Sequence, residues 1–271
     1  MNVARFLTAA LGFVAAIAAG ACQERALTPE QANAKGDAML RRMSQTLAAA
    51  QAFSFATDQM RQHVHAAGGK TDERFTRRIT VRRPNAIVVT DAGGGRDGAA
   101  WYDGKRLTFV SNRDKAWARG PMPPTLDEAM DFVSAEYALQ LPIADLIYSN
   151  PYDAVMTKDT TGGWVNTQAV GSSTCEHLSY QQPVVDWQIW LSQDERHLPC
   201  QLQITYKTQP GQPMSRVTFS DWNLSPQVSD ATFEAKIPDG YVRLKIMRHG
   251  TVEAPSADAS ATPAAPSPQP K

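Results

Sequence analysis

The sequence predicts an α+β fold: one large, curved antiparallel β-sheet with helices packed on its concave face. Three observations lead there. Apolar and polar residues alternate, the period of a strand, in one short stretch after another. The links between these stretches are too short for crossover helices, so neighbouring strands run antiparallel. Helical spacing returns only near the start and the middle of the chain. The order is therefore helix, strands, helices, strands, which gathers the helices on one face.

The first helix opens at Thr28-Pro29-Glu30-Gln31. Thr28 caps it, Pro29 suits its first position, and Gln31 completes a capping box. Ala38, Met39, Met43, Leu47 and Ala50 then share one side, which predicts an amphipathic helix over 29–51. Phe53, Phe55 and Thr57 alternate next, followed by Phe75, Ile79 and Val81 and by the β-branched run 86–90. Trp101-Tyr102-Asp103-Gly104-Lys105-Arg106-Leu107 reads as a hairpin whose Asp-Gly pair accepts the positive φ of a type I′ turn. Residues 115–119 make one more strand.

Thr125-Leu126-Asp127-Glu128 is a second capping box, and Met130, Phe132, Val133 and Tyr137 continue it as a helix. Pro142 breaks the run. Residues 143–148 form a second short helix, and Asn150-Pro151 opens a third turn of helix through Met156. Strands resume at 164–170, 175–181, 187–191, 202–207 and 216–223. A last one, 241–246, follows the Pro238-Asp239-Gly240 turn.

Ahead of the fold, residues 1–21 have the layout of a secretory signal peptide. Arg5 supplies the positive start, residues 6–18 are apolar and uncharged, and Ala19-Gly20-Ala21 is a small-residue exit. The apolar run is shorter than the roughly 20 residues a bilayer core requires. Cys22 follows directly and resembles the acylated cysteine of a bacterial lipobox, with Ala19 where that pattern usually has Leu. Ala19-x-Ala21 also suits the ordinary signal peptidase, so two outcomes stay open: lipidation of Cys22, or Cys22 as a plain mature N-terminus. Acylation would tether the protein to a membrane, and Gln23 in place of Asp favours the outer one by resemblance to Gram-negative sorting. Residues 22–27 then form a tether, 28–249 a single domain, and 250–271 a disordered tail of mostly Ala, Pro and Ser.

The charge balance does not suggest a nucleic-acid binder, which needs clustered positive charge. The chain has 27 basic and 27 acidic residues; losing Arg5 with the leader leaves 26 against 27, a charge of −1. Of the three cysteines, Cys175 and Cys200 remain once Cys22 is set aside. An oxidising compartment favours a disulfide between them. If they lie on strands flanking a middle strand, their Cα atoms stand about 10 Å apart, beyond the roughly 7 Å limit. The bridge therefore requires the middle strand to end early, near Ser192.

Catalytic patterns are missing from the sequence. Gly171-Ser172-Ser173 lacks the second glycine of a nucleophile elbow, and no His-Glu-x-x-His or phosphate loop occurs. Gly93-Gly94-Gly95 is a turn between strands. No metal or cofactor is expected: His63 and His65 have no third ligand nearby, and Cys175-x-His177 with His197-x-x-Cys200 would need free thiolates.

Aromatic and charged side chains on the strands carry the rest. Trp187, Ile189 and Leu191 share one face and Gln188 and Trp190 the other, so one tryptophan lies on the convex side or both faces are covered. Phe53, Phe55, Phe75, Ile79, Val81, Trp101, Trp187 and Ile189 are candidates for a hydrophobic cavity wall. The ordinary alternative is a filled core, from which a wall differs only in whether the space is occupied. Arg74, Arg78 and Arg82 make a solvated stripe. Arg77 and Arg83 share the face of Phe75, Ile79 and Val81 and suit a cavity rim or a buried pair.

Several motifs together resemble a known family: Pro123-Pro124-Thr125-Leu126-Asp127, the stretch Leu141 to Tyr152 (LPIADLIYSNPY), Asp186-Trp187-Gln188-Ile189-Trp190, Ile204-Thr205-Tyr206-Lys207 and Ser220-Asp221-Trp222-Asn223. They are similar to the bacterial predicted periplasmic proteins catalogued as domain of unknown function 2092, over about 40–247. The order of elements also resembles the LolA/LolB lipoprotein-carrier superfamily, half-open barrels whose helices plug a greasy cavity. That resemblance implies a non-enzymatic, exported periplasmic protein that holds a lipid or other hydrophobic small molecule between sheet and helices. The apolar faces of 29–51 and 126–140 would be its lid. The other reading is a sensor or interaction module for an envelope protein partner, with a filled core. A hydrolase is the third and least motivated.

Overall fold

Thr28 caps helix α1 (Pro29–Ala49) as expected: its hydroxyl accepts from Gln31 N–H while the Gln31 side chain accepts from Thr28 N–H. This computed structural model describes residues 27–137 and 142–246. The expectations for the leader, Cys22 and the tail fall outside those residues. α1 buries Leu40, Met43 and Leu47 at helical spacing. After it come β1 (Ala52–Val64), β2 (Lys70–Arg82), β3 (Ala86–Gly93), β4 (Arg96–Tyr102), β5 (Arg106–Ser111) and β6 (Ala116–Pro121). Helix α2 (Leu126–Tyr137), a 3-10 turn (Ala144–Leu146) and α3 (Pro151–Val155) follow. Then come β7 (Thr161–Val170), β8 (Ser173–Gln181), β9 (Val185–Ser192), β10 (Pro199–Tyr206), β11 (Met214–Asn223) and β12 (Val242–Leu244).

All twelve strands join one sheet in the order β12-β6-β5-β4-β3-β2-β1-β11-β10-β9-β8-β7. Every pairing is antiparallel except β12 on β6, which is parallel. This corrects the expectation of a wholly antiparallel sheet with a last strand over 241–246. β11 lies mid-sheet, so the chain must cross a face to reach the far edge. Arg82, on the face opposite Val81, bonds Asp230 at 2.7 Å and lies 4.7 Å over the Phe233 ring, marking the convex face as the route. A crossing of this kind sets no antiparallel hairpin, and only three residues pair.

Two further details differ. The β4–β5 turn centres on Gly104 and Lys105, and Gly104 has a positive φ (82°) while Asp103 does not. The Asp103 carboxylate instead accepts from the Lys105 and Arg106 amides. A single positive φ at the first central residue rules out type I′, which needs two. Residues 143–148 hold only a single 3-10 turn, too short a stretch to close a regular helix.

Register assigns the two faces. Phe53↔Val81, Phe55↔Ile79 and Thr57↔Arg77 pair across β1 and β2, and Val81↔Ile87 and Ile79↔Val89 carry the row onto β3. Leu202↔Ile189 and Ile189↔Leu178 carry it across the other half. This is the inner face, on which α1 and α2 lie. Between β1 and β11 the register slips: Asp221 and Trp222 oppose Phe55 alone, and Asp221 takes φ 54°. The bulge turns Trp222 inward onto Phe55, with ring centroids 4.4 Å apart.

The disulfide is present, and by the expected route. Cys175 sits opposite Ser192, the last residue of β9, and Cys200 falls at a bulge between Pro199 and Gln201. With the middle strand finished, the two Cα atoms are 6.8 Å apart and the sulfurs are bonded. Trp190 is the tryptophan on the convex side, where it stacks on His177 at 4.4 Å.

Candidate functional site

α2 and residues 142–148 form a plug on the inner face, and the plug is stitched down. Arg83 donates to the Ile147 and Tyr148 carbonyls, both at 2.9 Å, and reaches the Leu47 carbonyl of α1 at 3.5 Å. Burial pushes the Arg83 guanidinium down from its usual range, and Asp127 partly opposes this. Asp127 accepts from the Ser149 amide and hydroxyl, and Asp131 accepts from the Tyr148 hydroxyl at 2.7 Å.

The plug covers the sheet incompletely. A cleft of about 480 Å³ lies on its β9–β10 side, floored by Trp187, Ile189, Leu202 and Ile204 and walled by Leu40 and Met43 of α1. A second, of about 360 Å³, lies on the β2–β5 side, floored by Ile79, Val89, Ala100 and Phe109. Met130 and Ala144 line both, so they form the partition. Both volumes fall in the range of about 300–1,000 Å³ that takes small molecules.

The two clefts differ in charge. Around the smaller one, Arg77 grips Asp91 with two bonds of 2.6 and 2.7 Å, and Arg96 grips Glu73 at 3.1 and 3.2 Å. Burial works to raise the Glu73 carboxyl, but hydrogen bonds from Arg96 and His63 outweigh it and hold the group below its ordinary range. The larger cleft has one charged group, Asp145. No hydrogen bond or ion pair joins Asp145 to another described residue, and burial pushes its pKa up to about 6. Burial likewise raises the Tyr206 phenol on the same lining.

The eight cavity candidates divide. Trp187 and Ile189 line the larger cleft and Ile79 the smaller. Phe53, Phe55 and Val81 are fully buried beneath the plug, where Phe53 and Phe55 join the aromatic stack with Phe219 and Trp222. They are core, because the middle of the sheet is filled. Phe75 shares the inner face but is capped by Arg96, 4.3 Å over its ring, and lines neither cleft. Trp101 is misplaced: it pairs with Val88 and Thr108 on the convex face, and Tyr102, one residue on, points inward instead. Hairpin residues alternate, and the sequence does not say which of two adjacent aromatics faces the core.

Arg77 and Arg83 take the rim and buried positions expected of them. Arg74 and Arg78 are solvated, and Arg82 is half covered by the Phe233 segment. His63 and His65 contact Glu73 and Thr71 and do not converge. His177 lies against Trp190, and His197 contacts the Ser192 carbonyl. Among the described residues, no three His, Cys, Asp or Glu side chains group as metal ligands.

Sequence reasoning missed Asp145, Met130, Val89, Phe109, Leu202 and Ile204 as lining residues. Alternation on their strands marks the last four as inward. Met130 follows the helical spacing of α2, whereas Asp145 and the partition residue Ala144 carry no such mark, because residues 142–148 have no regular period.

α1 is fixed closely to the sheet. Gly36 faces Gly163, and a Cβ on Gly36 would stand 2.7 Å from the Tyr180 hydroxyl and 2.9 Å from the Trp164 nitrogen. Lys35 lies 3.6 Å over the Trp164 ring and pairs with Glu176. Burial alone would raise the Glu176 carboxyl, but hydrogen bonds from Gln193 and Trp164 and the Lys35 charge lower it.

The motif residues meet around this site. Lys207 pairs with Asp186 at 3.1 Å and Ile204 sits opposite Trp187, joining two motifs on adjacent strands. Asp127 and Ser149 join two more, and Trp222 bonds the Pro199 carbonyl at 2.9 Å. Among known proteins, the chain spans less than a tenth of the length of the curated relatives it matches. These are DNA topoisomerase 1 of Mycobacterium tuberculosis and Mycobacterium bovis, 33% identical over 89 residues, which is 30% of this chain and 9% of theirs. Among solved structures, the lipoprotein LppX of Mycobacterium tuberculosis is similar with a TM-score of 0.45 and 15% identity, over 71% of this chain and 97% of that one. A LolA superfamily protein of Nitrosomonas europaea has a TM-score of 0.36 and 10% identity, over 74% and 98%. The match that reaches the motif residues covers 36–247, and by it the chain belongs to the DUF2092 family, described as predicted periplasmic proteins.

Proposed function

We propose that this protein is a non-enzymatic binder of a hydrophobic ligand, a lipid or acylated molecule, held between the concave sheet and the plug. The observation that carries this reading is the pair of carbon-lined clefts either side of Met130 and Ala144. Burying an alkyl chain there gains about 0.8 kcal/mol per methylene. The alternative, an envelope protein-interaction module, expects a filled core. The middle of the sheet fits that, while the clefts on both flanks favour the ligand reading.

The family description and the leader-like residues 1–21 support export to the periplasm. Acylation of Cys22 would hold the domain at a membrane, by our reading the outer one. Native mass spectrometry of protein taken from its own envelope tests the ligand. A co-purifying lipid, or uptake of labelled lipid by stripped protein, is the expected result; apo protein that takes up none would refute it. Labelled palmitate incorporated by the native chain and lost in Cys22→Ser tests the anchor.

A further inference from the structure

Asp145 stands in the larger cleft beside carbon. Leu146 and Ala144 flank it in the chain, and Met130, Trp187 and Ile204 line the same space. The titratable groups that act on it or share its lining are the phenols of Tyr148 and Tyr206. Tyr148 already donates to Asp131. The other polar side chains on the lining, Ser134, Thr157 and Gln182, are uncharged. Arg61 meets Tyr206 in an adjacent hollow and does not line this one. Among the described residues, the cleft therefore carries one negative charge and no cation.

A half-buried carboxylate without a partner costs free energy that a cationic ligand group would recover. An anionic head placed there would meet like charge. We propose that the larger cleft selects a single-chain amphiphile with a primary ammonium head, the ammonium donating to Asp145 while the chain lies along Trp187, Ile189 and Leu202. This rests on the ligand-binding reading above and names its ligand class. The smaller cleft differs because cations of its own, Arg77 and Arg96, stand among its acids Asp91, Asp97 and Asp114.

Calorimetric titration with dodecylamine, dodecanol and dodecanoate, each below its solubility or micelle limit, tests it on the full chain. The expected order is amine tightest, by about tenfold over the alcohol, which is the worth of one charge-assisted hydrogen bond. Asp145→Asn removes the amine's advantage over the alcohol. In the wild type the advantage shrinks as pH falls from 7.5 to 5, since the carboxyl takes up a proton while the amine stays charged. That measurement needs no variant. Equal binding of amine and alcohol, or an advantage that survives both Asp145→Asn and acid, overturns the ammonium assignment alone. Failure of all three chains to bind overturns it together with the ligand reading.

Discussion

Removing the Arg83 guanidinium should loosen the plug. Two bonds of 2.9 Å to the Ile147 and Tyr148 carbonyls are lost, with a weaker third to Leu47. A hydrogen bond to a charged group contributes about 1.5–3 kcal/mol net, and part-buried carbonyls regain some water when it goes. Leucine at 83 keeps apolar contact toward Phe53, so packing loss is small. Arg83→Leu is expected to cost about 3 kcal/mol, which for a domain of this size lowers the Tm by about 6–12 °C. Lysine offers a single ammonium rather than a fork and should recover about half of the loss. Thermal melting of the two variants measures the loss. Hydrogen exchange locates it: the Leu146 and Ile147 amides, bonded to Ile143 and Ala144, should lose protection before the sheet does. A loss below about 1 kcal/mol, or plug amides that exchange as in the wild type, would refute the clamp.

Cys175→Ser with Cys200→Ser should cost about 3.5 kcal/mol by the entropy of a loop closed over 25 residues, read from urea midpoints; no change would deny the bridge a role in stability. Gly36→Ala should destabilise, against the gain of up to about 1 kcal/mol that helix propensity alone predicts, because the new Cβ would meet Tyr180 and the β7 backbone. A melting point that rises would show that α1 can move away from the sheet. Burial places the Asp145 pKa near 6 in the folded state, above its unfolded value, so this carboxyl favours folding at low pH and its contribution declines as pH rises from about 4 to 6. Asp145→Asn should therefore be more stable than the wild type at pH 7.5 and match it at pH 4. Equal urea midpoints at both values would remove the desolvation argument.

Legibility varied with the regularity of the chain. Thr28 and Gln31 form a capping box from local chemistry, and they do so here. Ser192 had to end β9 for the disulfide to close, and it does, a case in which a distance limit read from strand spacing settled a tertiary detail. Phe53, Phe55 and Val81 were correctly given to the inner face, yet they are core and not wall. That distinction depends on where the plug sits. Trp101 and Tyr102 show the limit of alternation: period 2 groups residues into faces but does not say which face is inside. Trp222 points inward because of a bulge at Asp221, for which the sequence offers no turn residue as strong as glycine.

From the sequence alone follow the order of helix and strands, the antiparallel pairing of chain neighbours, the condition under which Cys175 can reach Cys200 and the membership suggested by its motifs. These depend on local propensity and on links of a few residues, which leave little freedom. Only the tertiary structure decided that β12 joins the far edge in parallel, that Arg83 pins residues 147 and 148, and that space remains on both sides of Met130 and Ala144. Those features arise from contacts between segments distant in the chain. Whether a carbon-lined volume is filled depends on all of its walls at once, and no single segment encodes it.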